Sequence, residues 1–153
     1  MFKKLMLLLT FCLPISALTA APASSSEISA ADLLAQYSDF AKQYHNFTPT
    51  EQELALMQKL KNKQVLVVLG TWCHDSAREV PRLLKLLDES QVPLTSLRLV
   101  TVNKNKQDDA GVAHANNVQY TPTIIVMQNG KELTRMVEKP AGTLAQDLTK
   151  NLP

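Results

Sequence analysis

Five consecutive residues carry most of the chemistry visible in this sequence: Trp72-Cys73-His74-Asp75-Ser76. They follow the apolar run Val65-Leu66-Val67-Val68-Leu69 and the connector Gly70-Thr71. Such a run reads as a strand buried on both faces, after which Cys73 opens a helix. Unpaired N–H groups and the macrodipole at a helix N-terminus favour an anion. A thiolate is such an anion, and only the thiolate attacks disulfides. Cys73 is therefore placed as a nucleophile. Three residues on, where a redox pair needs its second sulfur, stands Ser76. A serine hydroxyl can donate a hydrogen bond to a thiolate but cannot form a disulfide. His74, if protonated, favours the same thiolate, whereas Asp75 opposes it. The competing interpretation is an inert cysteine followed by ordinary first-turn polar residues. Cys73, His74 and Asp75 are consecutive and do not easily converge on one ion, so no metal site is expected. His45 and His114 lack ligand-like companions and read as surface residues.

The positioning elements follow from periodicity and caps. Ser29-Ala30-Ala31-Asp32 predicts a helix running to about Tyr44, with Leu33, Tyr37, Phe40 and Tyr44 near helical spacing. Thr48-Pro49-Thr50-Glu51 predicts a second, with Thr48 as cap, Pro49 in the first turn and Glu51 three residues after the cap. The helix beginning at Cys73 should reach about Leu87, bury Val80, Leu83, Leu84 and Leu87, and kink at Pro81. Leu97 to Val102 reads as the next strand. A polar loop from Asn103 and a short helix from Asp109 to His114 follow. Gln128-Asn129-Gly130-Lys131 between Thr123–Met127 and Glu132–Val137 signals a hairpin. Thr143 to Leu152 closes the chain as a helix. Strands alternating with helices imply parallel pairing, and the hairpin adds an antiparallel pair: an α/β sandwich with a mixed central sheet.

The first twenty residues read as an export signal. Lys3 and Lys4 precede the short apolar stretch Leu5–Leu13, and small residues follow. Cleavage fits after Ala20 or after Ala23. The stretch is too short to span a bilayer stably, and no later segment is long and apolar enough to do so. Loss of residues 1–20 takes Lys3, Lys4 and Cys12 away. Basic residues then fall from 16 to 14 against 14 acidic ones, which gives no sign of a nucleic-acid surface. One of the two cysteines remains, so no intramolecular disulfide can form even in an oxidising compartment. The expected organisation is a signal at 1–20, a linker at 21–28, a helical segment at 29–63 and an α/β domain at 64–153.

From about Val65 to Leu152 the chain resembles the thioredoxin-like superfamily. Trp72-Cys73-x-x-Ser76 stands at the active-site motif, and Pro81 lies eight residues beyond the cysteine at the helix kink. Thr121-Pro122-Thr123-Ile124-Ile125-Val126-Met127-Gln128-Asn129-Gly130-Lys131 is similar to the cis-proline segment and its hairpin. The resemblance implies a thioredoxin-like three-layer sandwich with a mixed central sheet, preceded here by extra N-terminal helices. It implies that Trp72 flanks the sulfur. It also implies that Pro122 follows a cis bond and that backbone groups of Thr121 pair with an extended substrate chain. Two departures are visible. Ser76 replaces the second cysteine, and Val67 stands where many members carry a buried acid in the preceding strand.

These readings predict an exported, periplasmic or secreted, monothiol protein. Cys73 and Ser76 form the reactive pair, and Trp72, His74, Thr121 and Pro122 line the substrate groove. Its partners would be protein or small-molecule thiols and disulfides, with release by glutathione or another redox protein and with no bound cofactor. The alternative is a non-catalytic binding or chaperone module for extended or cysteine-containing chains. A one-cysteine peroxidase would need an activating arginine and threonine in a different motif, and Arg78 alone does not supply it.

Overall fold

The apolar runs become strands and the capped segments become helices in the computed structural model, which describes residues 26–153. The leader, its cleavage points, Cys12 and residues 21–25 lie outside the described residues. The described part forms β1 (Glu27–Ile28), α1 (Ala30–Gln36), α2 (Ser38–Asn46), α3 (Glu51–Met57), β2 (Gln64–Leu69) and α4 (His74–Ser90). It continues with β3 (Ser96–Thr101), α5 (Val112–Ala115), β4 (Thr123–Gln128), β5 (Lys131–Val137) and α6 (Leu144–Thr149). A short 3-10 turn, Gln58–Leu60, extends α3.

The sheet order is β1-β3-β2-β4-β5. β2 pairs parallel with β3, and every other pairing is antiparallel, so the sheet is mixed as expected. Successive side chains of a strand point to opposite faces. Val65, Val67 and Leu69 of β2 accordingly join one apolar cluster with Leu33, Phe40, Met57, Val80, Leu83, Leu86 and Leu148. Leu66 and Val68 face the other side with Val100, Val102, Ala113, Val118 and Ile125. The first face carries most of the helices, and among the described residues α5 is the helix contributing to the second cluster.

Three local expectations change. Residues 27–28, assigned to a linker, form the edge strand β1 against Leu99 and Val100. The single helix expected from Ser29 to Tyr44 breaks at Tyr37, whose extended backbone folds α1 against α2. Ser29 does cap α1, accepting from Asp32 N–H at 3.0 Å. The cap of α3 is Thr50 and not Thr48. Thr50 Oγ1 accepts from Glu53 N–H, and the Glu53 carboxylate accepts from Thr50 N–H in return. The sequence offers two caps, because an acid lies three residues after each threonine. The half-buried reciprocal pair with Glu53 wins.

α2 lies along α4, and aromatic residues fix it there. Phe40 is buried in the main cluster, and Arg82 of α4 stacks over the Phe47 ring at 5.5 Å. The Tyr44 hydroxyl donates to Asp88 of α4 at 2.6 Å. That bond to a carboxylate, with burial and neighbouring acids, pushes the Tyr44 phenol up to about 12. This docking decides which α2 residues stand beside the start of α4.

Candidate active site at the start of the fourth helix

A tight turn delivers Cys73 from β2 to α4. Cys73 N–H donates to Gly70 C=O at 2.9 Å, and Val102 N–H donates to Leu69 C=O at 2.9 Å. Gly70 is required by close approach: a Cβ there would lie 2.8 and 2.9 Å from two Trp72 ring carbons. The indole is anchored beside that contact, where Trp72 Nε1 donates to Val102 C=O at 3.1 Å. Ser76, fully buried, reaches back so that its Oγ accepts from Gly70 N–H at 3.2 Å. The serine thus closes the turn that presents the cysteine.

Cys73 is the N-cap of α4 and is half-buried, a free thiol among the described residues. Its Sγ–H donates to Thr121 C=O at 3.1 Å, and the Thr121–Pro122 peptide bond is cis. Burial raises the thiol pKa. Hydrogen bonding by the Thr121 side chain, the Ser76 N–H, the Ser76 hydroxyl and the Asp75 N–H opposes burial. The net shift is downward. The bond from Sγ–H to the Thr121 carbonyl belongs to the protonated thiol and is given up on ionisation. The lowering therefore comes from polar groups beside the sulfur, three of them in the first turn of α4. Asp75 contributes through its N–H, while its carboxylate pairs with Arg78 at 2.8 Å. The expected opposition from Asp75 is thus largely neutralised.

The thiol opens into a groove of about 500 Å³ lined by Asp39, Gln43, Thr71, Trp72, Cys73, His74, Ala77 and Arg78. Trp72, 43% exposed, stands on its rim, and Tyr120, 56% exposed, precedes the residue that touches the sulfur. Thr121 and Pro122 are buried under the thiol side of the site, and His74 is exposed at the first position of α4. Trp72, Cys73 and His74 therefore share one groove. Thr121 joins them through the sulfur, and Ser76 lies beneath. Lys106 holds its ammonium 5.0 Å from the Trp72 ring centroid. It lines a second, polar depression of about 850 Å³ formed by the Asn103–Gln119 segment, which contains no thiol. Larger size does not make that depression the reactive site.

Two features escaped the sequence. Asp39 and Gln43, four apart on α2, form a wall of the groove although they lie 34 and 30 residues before Cys73. Helical spacing puts the two on one face, but nothing local signals which neighbour that face meets. Glu79 is 1% exposed; its Oε1 meets Arg78 Nε at 2.5 Å and Arg82 Nη1 at 3.6 Å, and its Oε2 has no partner. Val67 is fully buried at the strand position that could have held an acid. The buried acid here sits on α4 instead and serves the arginines. Among the described residues no cluster of His, Cys, Asp and Glu could hold a metal ion, and no helix is long and apolar enough to cross a membrane.

Comparison with known proteins places this architecture. A crystal structure of a Pseudomonas aeruginosa protein of unknown function is 20% identical, over 76% of this chain and 81% of that one, with a TM-score of 0.42. Trxlp of Edwardsiella tarda is 20% identical over 68% of this chain and 94% of its own, with a TM-score of 0.46. Mitochondrial thioredoxin 3 of Saccharomyces cerevisiae, in its oxidised form, is 21% identical over 62% and 86%, with a TM-score of 0.38. No curated protein matches the chain. The sequence model described as thioredoxin matches residues 24–150, which include the helices before β2 as well as the sheet. With a thiol at the N-cap of α4, a mixed sheet behind it and that match across most of its length, the chain belongs to the thioredoxin family.

Proposed function

We propose that this protein is an exported monothiol member of its family that performs thiol–disulfide exchange through Cys73. Family membership supports a redox role in thiol–disulfide chemistry. One observation carries the finer reading: Cys73 lies half-exposed at the N-cap of α4, against the Thr121 carbonyl and above the buried Ser76, and its polar neighbours lower its pKa. The thiolate attacks one sulfur of a disulfide R–S–S–R. The Cys73–S–R bond forms, the S–S bond breaks, and the electron pair leaves on RS⁻, which takes a proton from water. Ser76 holds the turn and favours the thiolate but has no sulfur to displace R. A second thiol from outside must therefore attack the mixed disulfide and restore Cys73. Glutathione or a partner redox protein is the chemical class that fits, and no bound cofactor takes part.

Export rests on the basic and apolar pattern of the first twenty residues. N-terminal sequencing of the protein recovered from the extracytoplasmic fraction tests it, with Ala21 or Ser24 as the expected first residue.

The exchange reading is tested by the rate of iodoacetamide alkylation against pH, followed by mass analysis after exposure to a disulfide. Expected are an inflection below that of a free cysteine and a one-to-one mixed disulfide that is absent in Cys73→Ala. Slow alkylation with an ordinary or raised inflection would overturn the reading. In that case the exposed Trp72 and Tyr120 would favour a binding or chaperone module, recognised by peptide binding that survives Cys73→Ala.

A further inference from the structure

The N-terminal helices do more than thicken the helical layer, because α2 forms one wall of the groove into which the thiol opens. The charges on that groove are unequal. Arg78 is its cation, but Asp75 holds Arg78 at 2.8 Å from the front and the buried Glu79 holds it from below. Arg82, the next cation along α4, is drawn to Glu79 and stacks on Phe47. Asp39 is exposed, lines the groove and makes no ion pair among the described residues. Gln43, four residues on, adds an amide that accepts or donates. The remaining nearby cation, Lys106, is spent on the Trp72 ring and lines the separate depression. An incoming disulfide therefore meets one unpaired carboxylate, the imidazole of His74, and one arginine held by Asp75 and by the Glu79 that it shares with Arg82.

We infer that α2 makes this groove selective for cationic disulfides, and that Asp39 is its specificity-determining residue. The inference rests on the exchange reading above. A disulfide whose sulfur is flanked by an ammonium or guanidinium group gains attraction from Asp39 as it reaches Cys73. One flanked by carboxylates, as in glutathione disulfide, is repelled. The exchange step is the one already written: Cys73 S⁻ displaces RS⁻ from R–S–S–R, with two electrons passing to the leaving sulfur. The charge on R alters the encounter and not the chemistry. Two sources carry this cationic chemistry, a small aminothiol disulfide and a protein cysteine beside lysine or arginine.

The test measures second-order rate constants for the mature protein with three small disulfides: cystamine, hydroxyethyl disulfide and glutathione disulfide. Each is divided by its rate with free mercaptoethanol at the same pH, which removes intrinsic reactivity. A second arm uses two disulfide-linked peptides that differ by Lys or Glu beside the cysteine. The expected normalised preference for cystamine over glutathione disulfide is roughly fivefold to tenfold at low ionic strength, shrinking towards unity in high salt. Asp39→Asn should reduce the ratio severalfold, and Asp39→Lys should reverse it. Each ratio is taken within one variant, so partial loss of folded protein cancels. Preference in the small-molecule arm alone identifies an aminothiol partner, and preference for the lysine peptide identifies a protein partner. A ratio near unity in both arms, or one that Asp39→Asn leaves unchanged, would overturn the inference while exchange itself stood. No reaction at Cys73 with any disulfide would overturn the exchange reading and the inference together.

Discussion

Replacing Ser76 by alanine separates two duties that the structure gives to one hydroxyl. The side chain is fully buried, accepts from Gly70 N–H at 3.2 Å and favours the Cys73 thiolate. Alanine keeps the helix and removes both interactions. Gly70 N–H is buried, so it is left without its acceptor, at a cost of about 1–3 kcal/mol. The better helix propensity of alanine returns about 0.5 kcal/mol. The net loss is about 0.5–2.5 kcal/mol, which lowers the melting temperature by roughly 2–12 °C in a domain of this size. The thiol loses one of its stabilising donors while burial continues to push it upward, so its pKa rises. The assay pairs a thermal melt with the pH profile of alkylation. Expected are a lower Tm, an inflection moved to higher pH and slower alkylation at neutral pH. A lower Tm with an unmoved inflection would show that Ser76 only closes the turn. An unchanged Tm would refute the Gly70 contact on which the placement of Cys73 is argued.

Three further perturbations follow. The folded pKa of Cys73 is lowered from its ordinary value, so its contribution to stability is present above the unfolded value and lost as pH falls through the folded one; the stability of the native chain relative to Cys73→Ala should therefore grow as pH rises through this window, measured by urea unfolding at several pH values. Gly70→Ala puts a methyl 2.8 Å from the Trp72 ring, displaces the indole and strains its bond to Val102. A loss of about 1–3 kcal/mol and a red shift in the emission of the single tryptophan are expected. Glu79→Leu removes the acceptor that holds Arg78 and Arg82, and because both arginines are partly exposed and can turn to water, urea denaturation should show a loss of about 1–3 kcal/mol. A gain in stability would mean that the carboxylate with its unpartnered oxygen costs more to bury than its two arginines return.

Local signals were read well where one pattern had one solution. As a strand, the unbroken Val65–Leu69 run could bury all its side chains only in a sheet covered on both faces, and β2 lies between β3 and β4, which pair its backbone. Asn129-Gly130 supplies two residues with positive φ, 52° and 74°, as a tight hairpin needs. Thr143 caps α6 with a reciprocal bond from Gln146, and Cys73 caps α4. Signals failed where two solutions were locally equal or where the deciding contact was distant. Thr48 and Thr50 both precede an acid by three residues, and only packing chooses between them. Tyr37 ends a helix with neither glycine nor proline to announce it. Glu79 is a charged residue amid the polar positions of α4, yet the helices before β2 cover that face and bury it. The bond from Cys73 to Thr121 spans 48 residues and no spacing announces it; the family resemblance implied only that backbone groups of Thr121 meet a substrate chain.

The two departures at the site act on the same half of the reaction. Attack needs a thiolate with open access, and the turn from Gly70 to Ser76 provides it. Resolution within one chain needs a second sulfur and a group to manage its proton, and the chain has Ser76 and Val67 at those places. In the exchange proposed above, the mixed disulfide therefore persists until a thiol enters from outside. Its lifetime is set by how readily that thiol reaches one of two sulfurs packed beside Trp72 and the α2 wall. Specificity is then exerted twice by the same groove, once on the disulfide that enters and once on the thiol that releases it. If Asp39 selects as inferred above, a residue that lines the groove without entering the chemistry sets both rates through the charge it presents to whatever approaches.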